Sequence, residues 1–322
     1  MRGTLRALFL TASATRAFAS CAHGTFLHPR EEGGAVEVGK FGYIGSIGPL
    51  HWAALDSPAN NLCATGTRQS PINMVDGVFT VLQGSDVQLT VNDMPNGADF
   101  ENLGTTVEVV AQGGTLKVAD KQFELQQFHF HLPSEHLDNG TSQAMEMHMV
   151  FQSAQKEIAV IGVYINIADQ PSSNTTTTTS LSKAAPKRSL PGLTRRESPL
   201  AATPLLETLF TSLPAITNPG TRTKTAPLAM GPLVDLLLKG NTFQTYSGSL
   251  TTPPCSEGVR WLVSGARLAV TPATFARARD VLGFNARFVQ NAPGEPNALM
   301  QAAVGTAVAA VEAGAGLAGG RV

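Results

Sequence analysis

A two-residue rhythm constrains this chain more than anything else in it. In Gln127-Phe128-His129-Phe130-His131 the polar residues alternate with phenylalanines, and in Met145-Glu146-Met147-His148-Met149 they alternate with methionines. Successive side chains of a strand point to opposite faces, so each run reads as a strand with one apolar and one polar face. A third run, Ile158-Ala159-Val160-Ile161-Gly162-Val163-Tyr164, is apolar nearly throughout and reads as a central strand buried on both faces. Two neighbouring strands of the first kind would aim His129, His131 and His148 at one point. Three neutral histidines with a fourth position left open make a catalytic zinc site, whereas four protein ligands make a structural one.

The remaining chain is punctuated like a β-rich domain. Strands are expected over 87–91, 106–111, 115–118, 126–132, 144–151, 158–167, 243–250, 259–263 and 267–270. Gly113-Gly114 marks a hairpin between the second and third of these. Short helices are expected over 204–210 behind a Thr203 cap, over 231–239, and up to Leu282 behind a Thr271 cap with Pro272 in the first turn. A hydrophobic content of 43% supports a sizeable core, while 15% charged residues and a net charge of -1 leave no basic field for nucleic acid or an anionic membrane.

Composition divides the chain. Arg2 and Arg6 precede a short apolar stretch, and Ala17-Phe18-Ala19 and Ser20-Cys21-Ala22 are small-residue cleavage patterns. Residues 1–22 therefore read as a secretory leader, cut after Ala19 or Ala22, followed by an N-terminal extension over 23–40. A cut after Ala22 removes Cys21 and leaves Cys63 and Cys255 as an even pair, as an oxidising compartment favours. The body runs from 41 to 290. Within it, 169–200 is rich in Thr, Ser and Pro, with Lys187-Arg188 and Arg195-Arg196 as dibasic pairs, and reads as a disordered, protease-accessible insertion. Residues 291–322 form an Ala/Gly-rich tail. Asn139 and Asn174 open N-glycosylation triplets. No transmembrane segment is expected, and the oligomeric state stays open.

The ordered set Gln127 to His131, Pro133-Ser134-Glu135-His136, Glu146-Met147-His148 and Gly248-Ser249-Leu250-Thr251-Thr252-Pro253-Pro254 resembles the α-class carbonic anhydrases. Gly48-Pro49-Leu50-His51-Trp52, Gln69-Ser70-Pro71-Ile72-Asn73, Trp261 and Asn285-Ala286-Arg287 extend the match over 41–290. The resemblance implies one α+β, β-dominated domain with a large central mixed, mostly antiparallel sheet and short peripheral helices. It implies a secreted enzyme that hydrates CO2 reversibly to bicarbonate on Zn2+. The zinc ligands would be His129, His131 and His148, with Gln127 and Glu146 orienting them. In this family zinc lowers the pKa of its water to about 7. Thr251 and Glu135 would orient the attacking oxygen. Val160, Leu250, Val259 and Trp261 would wall the CO2 pocket, and Thr252 and Tyr246 would steer water and anions.

Two further expectations come with the resemblance. Cys63 and Cys255 would form a disulfide, worth about 5 kcal/mol in the chain-entropy account. The place where the family often carries a proton-shuttling histidine falls at Thr105, which has no group titrating near neutrality, so hydroxide regeneration would be slow. Two rivals keep the same residues: a catalytically weak binding module of this fold, and a zinc hydrolase acting on esters.

Overall fold

The computed structural model describes residues 22–27, 36–111, 113–169 and 200–303. Its strands are β1 (Asn73–Met74), β2 (Thr80–Gln83), β3 (Gln88–Val91), β4 (Asp99–Asn102), β5 (Val107–Val110), β6 (Gly114–Val118) and β7 (Lys121–His131). They continue as β8 (Leu137–Asp138), β9 (Thr141–Ser142), β10 (Met145–Gln152), β11 (Ile158–Ile167), β12 (Arg222–Lys224), β13 (Thr242–Ser249) and β14 (Glu257–Val270). The helices are short: α1 (Trp52–Leu55), α2 (Leu62–Thr65), α3 (Pro204–Phe210), α4 (Gly231–Leu238) and α5 (Pro272–Leu282).

The main sheet runs β12-β4-β5-β7-β10-β11-β14-β13-β2, with β3 and β6 attached beside β7. Every pairing in it is antiparallel except β11 with β14. The mixed, mostly antiparallel sheet is therefore as expected. Both faces of β11 are covered, and Ile158 to Ile165 are buried throughout, as an apolar run between two neighbours requires.

One face of the sheet packs a core. Phe128, Phe130, Met145, Met147 and Met149 are fully buried with Leu206, Leu209 and Phe210 of α3 and Leu237 of α4. Burying each such phenylalanine stabilises the fold by about 2 kcal/mol. The Phe130 and Phe210 rings meet edge-on at 4.9 Å, which fastens α3 against β7. The opposite face carries the polar members of the alternation.

The structure corrects two local expectations. Strands β5 and β6 do not form a hairpin: each pairs with β7. Gly113 and Gly114, at φ of 82° and 156°, carry the chain onward along the same edge of β7 rather than back on β5. Thr203 does cap α3 by position, but its Oγ accepts from the Ala269 N–H of β14 instead of from the helix. Thr271 behaves as expected, accepting from the Thr274 N–H. The two expected strands 259–263 and 267–270 are one strand, β14, with a bulge where it passes Gly162 and Tyr164.

Cys63 and Cys255 are joined by a disulfide. It lies in a small cluster with Phe41, Tyr43 and Trp52. The flanks of the segment expected as an insertion meet one another: Asp169 N–H donates to the Leu200 carbonyl at 3.1 Å, and Leu200 N–H donates to Asp169 Oδ2 at 2.8 Å. The segment itself, with Asn174 and both dibasic pairs, lies outside the described residues, as does Cys21. Asn139 is exposed in the β8–β9 turn, where its amide donates to Asp76 and Asp138.

Candidate metal centre

Strand register builds the site. In the β7–β10 pairing His148 stands opposite His129, and Glu146 opposite His131. All three imidazoles point to the same face and are wholly buried. Their rings lie 4.6–5.4 Å apart.

The outer nitrogens of the three rings are engaged. His129 Nδ1–H donates to Gln127 Oε1 at 2.7 Å, and His131 Nδ1–H donates to the Asn285 carbonyl at 2.8 Å. His148 Nε2 lies 3.0 Å from Glu146 Oε1. These contacts turn the inner nitrogens towards one another. His129 Nε2 and His131 Nε2 face each other at 3.1 Å, and His148 Nδ1 is buried with no hydrogen-bond partner among the described residues. Two neutral imidazoles whose outer N–H groups are spent meet there lone pair to lone pair, an arrangement that only a cation or proton between them relieves. The three ligand atoms lie within 4.8 Å of one another. Nitrogen donors in this number, with fixed tautomers, suit zinc.

Electrostatics agree. Burial, then the neighbouring His148, pushes His131 down to about 3. Burial and the other two rings hold His129 well below the usual imidazole range, and burial lowers His148. All three are therefore neutral at physiological pH, the form a metal needs.

Glu146 is the hub behind the three histidines. Its Oε2 accepts from the Glu135 and His136 backbone N–H groups, both at 2.9 Å, and its Oε1 accepts from His136 Nδ1 at 2.8 Å. Burial pushes this carboxyl up, but His136 and His148 outweigh it and hold the group well below the usual range. From His136 the network continues to Tyr246 Oη at 2.7 Å and on to Ser70 Oγ at 2.8 Å. Tyr246, expected to steer water near the metal, thus spends its hydroxyl on His136 and Ser70. Gly162, opposite His148 on β11, leaves the space for Glu146: a Cβ there would stand 2.8 Å from Oε1.

Glu135 lies wholly buried, with Oε2 3.4 Å from His131 Nε2. Burial pushes its carboxyl well up, opposed by the Arg287 N–H, which donates at 2.8 Å, and by the Thr251 hydroxyl. Asn285 and Arg287 are residues of the site that alternation could not find. Asn285 accepts from His131, and its side chain clasps Leu132, Phe130 and Thr105. Arg287 anchors Glu135 while its guanidinium donates to Ser70, Cys63 and Gln69. Their motif was visible, but their link to the histidines spans some 150 residues of chain.

Val160, Leu250, Val259 and Trp261 join one buried apolar cluster together with Val150, Ile72 and Tyr246. Thr251 and Thr252 are also buried. Thr105 is almost fully buried, its hydroxyl without a hydrogen-bond partner among the described residues. A second group, His23 with Glu101 and Glu108, lies on the same side of the sheet: His23 Nδ1 is 2.8 Å from Glu108 Oε1, and Glu108 stands opposite His129 in the β5–β7 register.

A model of the eukaryotic-type carbonic anhydrase family matches residues 47–293. A carbonic anhydrase of a Nostoc species is 34% identical over 78% of this chain and 82% of its own length. The fungal α-carbonic anhydrase of Aspergillus oryzae superposes with a TM-score of 0.70 at 34% identity, covering 82% of this chain and 98% of its own. The Thermovibrio ammonificans α-carbonic anhydrase, solved with the inhibitor sulfanilamide, superposes with a TM-score of 0.62 at 32% identity, covering 80% of this chain and 96% of its own.

Proposed function

This chain belongs to the α-carbonic anhydrase family, whose reaction is the reversible hydration of CO2, and we propose that it carries out that reaction with zinc held by His129, His131 and His148. The observation that carries the assignment is the division of labour among the ring nitrogens. The outer ones face Gln127, Asn285 and Glu146, and the inner ones converge within 4.8 Å of one another. Zinc bound there would supply a water acidic enough to yield a nucleophile near neutral pH.

The other residues then have distinct tasks. A dication at the triad favours the ionised form of the nearby Glu135, against the burial that raises it. An ionised Glu135 accepts a hydrogen bond from the Thr251 hydroxyl, so the Thr251 oxygen can only accept from the reacting oxygen. That one-way arrangement fixes which lone pair faces the substrate. Val160, Leu250, Val259 and Trp261 give CO2 an apolar wall. Thr105 offers no proton relay. Turnover at saturating CO2 should therefore climb as imidazole-type buffer is added, and a flat response would count against this reading of Thr105.

The oxidised Cys63–Cys255 pair is compatible with secretion, and we place the mature protein outside the cell. The substrate pair is CO2 and bicarbonate. The decisive experiment is stopped-flow CO2 hydration by the purified protein before zinc removal, after it, and after zinc is returned. The rate should vanish and come back. The absence of any zinc-dependent rate above that of the buffer would favour the binding-module rival.

A further inference from the structure

The stretch 22–27 lies across the site. Thr25 N–H and Oγ–H both donate to the Ala22 carbonyl, at 3.0 and 2.6 Å. Gly24 sits between them at φ 76°, the sign a turn of this kind needs at its third residue. The result is a tight knob with a sequence reason for its shape.

The knob is held at three places. Ala22 is fully buried in the apolar cluster that contains Val150, Val160, Leu250, Val259 and Trp261. His23 Nδ1 lies 2.8 Å from Glu108 Oε1 of β5, and Glu108 stands opposite His129 in the β5–β7 register. Phe26 N–H donates to Gln152 Oε1 at 2.7 Å, and Lys156 Nζ stands 5.5 Å from the centre of the Phe26 ring. Glu108 is on β5 and Gln152 is the last residue of β10, with β7 between those strands. The stretch therefore spans the strands that carry the triad, on the triad's side. His129, His131, His148, Thr251 and Thr252 all have zero exposure.

We propose that 22–27 is an intramolecular plug, which occupies the apolar half of the cleft that CO2 would use and keeps the enzyme closed. The proposal rests on the metal and substrate assignment above. It gives the two leader cuts different consequences. Hydrolysis of the Ala22–His23 peptide bond adds one water and leaves a carboxylate on Ala22 and an ammonium on His23. It detaches the residue that anchors the knob and accepts both of its turn hydrogen bonds. A cut after Ala19 leaves the plug whole.

The test uses the full chain loaded with zinc, with Phe26→Asp and Ala22→Glu as separate variants. Each puts a charge where the plug needs apolar contact, and neither residue belongs to the catalytic machinery. Two rates are read: CO2 hydration, and stripping of the metal by dipicolinate, which reports access without chemistry. A plug closed in nine molecules of ten predicts that both rates rise about tenfold in either variant. Unchanged rates in both variants, at equal zinc content, would overturn the plug. Faster stripping with no hydration in any form would uphold the plug and refute the enzyme assignment instead.

Discussion

The three imidazoles are neutral because they are buried together, and that has a pH consequence for the metal-free protein. His131 takes a proton only at about 3 when folded, and His129 and His148 are shifted the same way. In the unfolded chain an imidazole is protonated below about 6.5. Between those values the unfolded state holds more protons, so stability should fall as pH falls from about 6.5 towards 3. Glu146, held low, loses its contribution in the same direction, while Glu135, held high, opposes it. Melting of the zinc-stripped protein should move to lower temperature from pH 7 to pH 4, and a constant melting temperature would contradict the burial argument. Thr251→Ala should retain zinc while cutting kcat/KM for CO2 by roughly 100-fold, the scale set by losing one oriented hydrogen bond at a reacting oxygen. The three histidines were legible in the sequence as one set because alternation is a local code. Asn285 and Arg287 were not assigned roles because no local pattern says which distant loop will cap a ring nitrogen or a carboxylate.

Among the elements, β10 and β11 do most to define the centre. The alternation 145–150 was enough to assign β10 its two faces, and the apolar run 158–164 gave β11 its central place. What the run could not show was why a glycine interrupts it. Gly162 faces His148 across the pair and leaves room for the Glu146 carboxylate. Gly162→Ala should keep the sheet, since the neighbouring positions tolerate side chains, but push Glu146 away from His148. Disturbing such a partner of a metal-bound histidine costs about 10–100-fold in metal affinity. Competition with a chromogenic chelator would measure it, alongside an unchanged circular dichroism spectrum. Wild-type affinity in this variant would remove Glu146 from its orienting role. The β5–β6 hairpin was misread for a related reason. Two glycines announce a change of direction, but whether the chain folds back or slides along a neighbour depends on β7, which the local sequence does not contain.

For the molecule as a whole, the disulfide ties the chain at 63 to the loop bearing Thr251, and Arg287 donates to the Cys63 carbonyl while its N–H holds Glu135. The covalent frame and the orienting groups are thus mechanically continuous. The meeting of Asp169 with Leu200 has a different bearing. Because the chain leaves and re-enters the body at one hydrogen-bonded point, replacing 171–198 by a short Gly-Ser turn should leave zinc content and hydration within about twofold of the parent, as loop-closure costs change little with length. A large loss on excision would show that the segment supports the body. If the excision is silent, the same two residues are a docking port: a fluorescent reporter or a second binding module could be carried between them, and the catalyst would travel with its passenger unaltered.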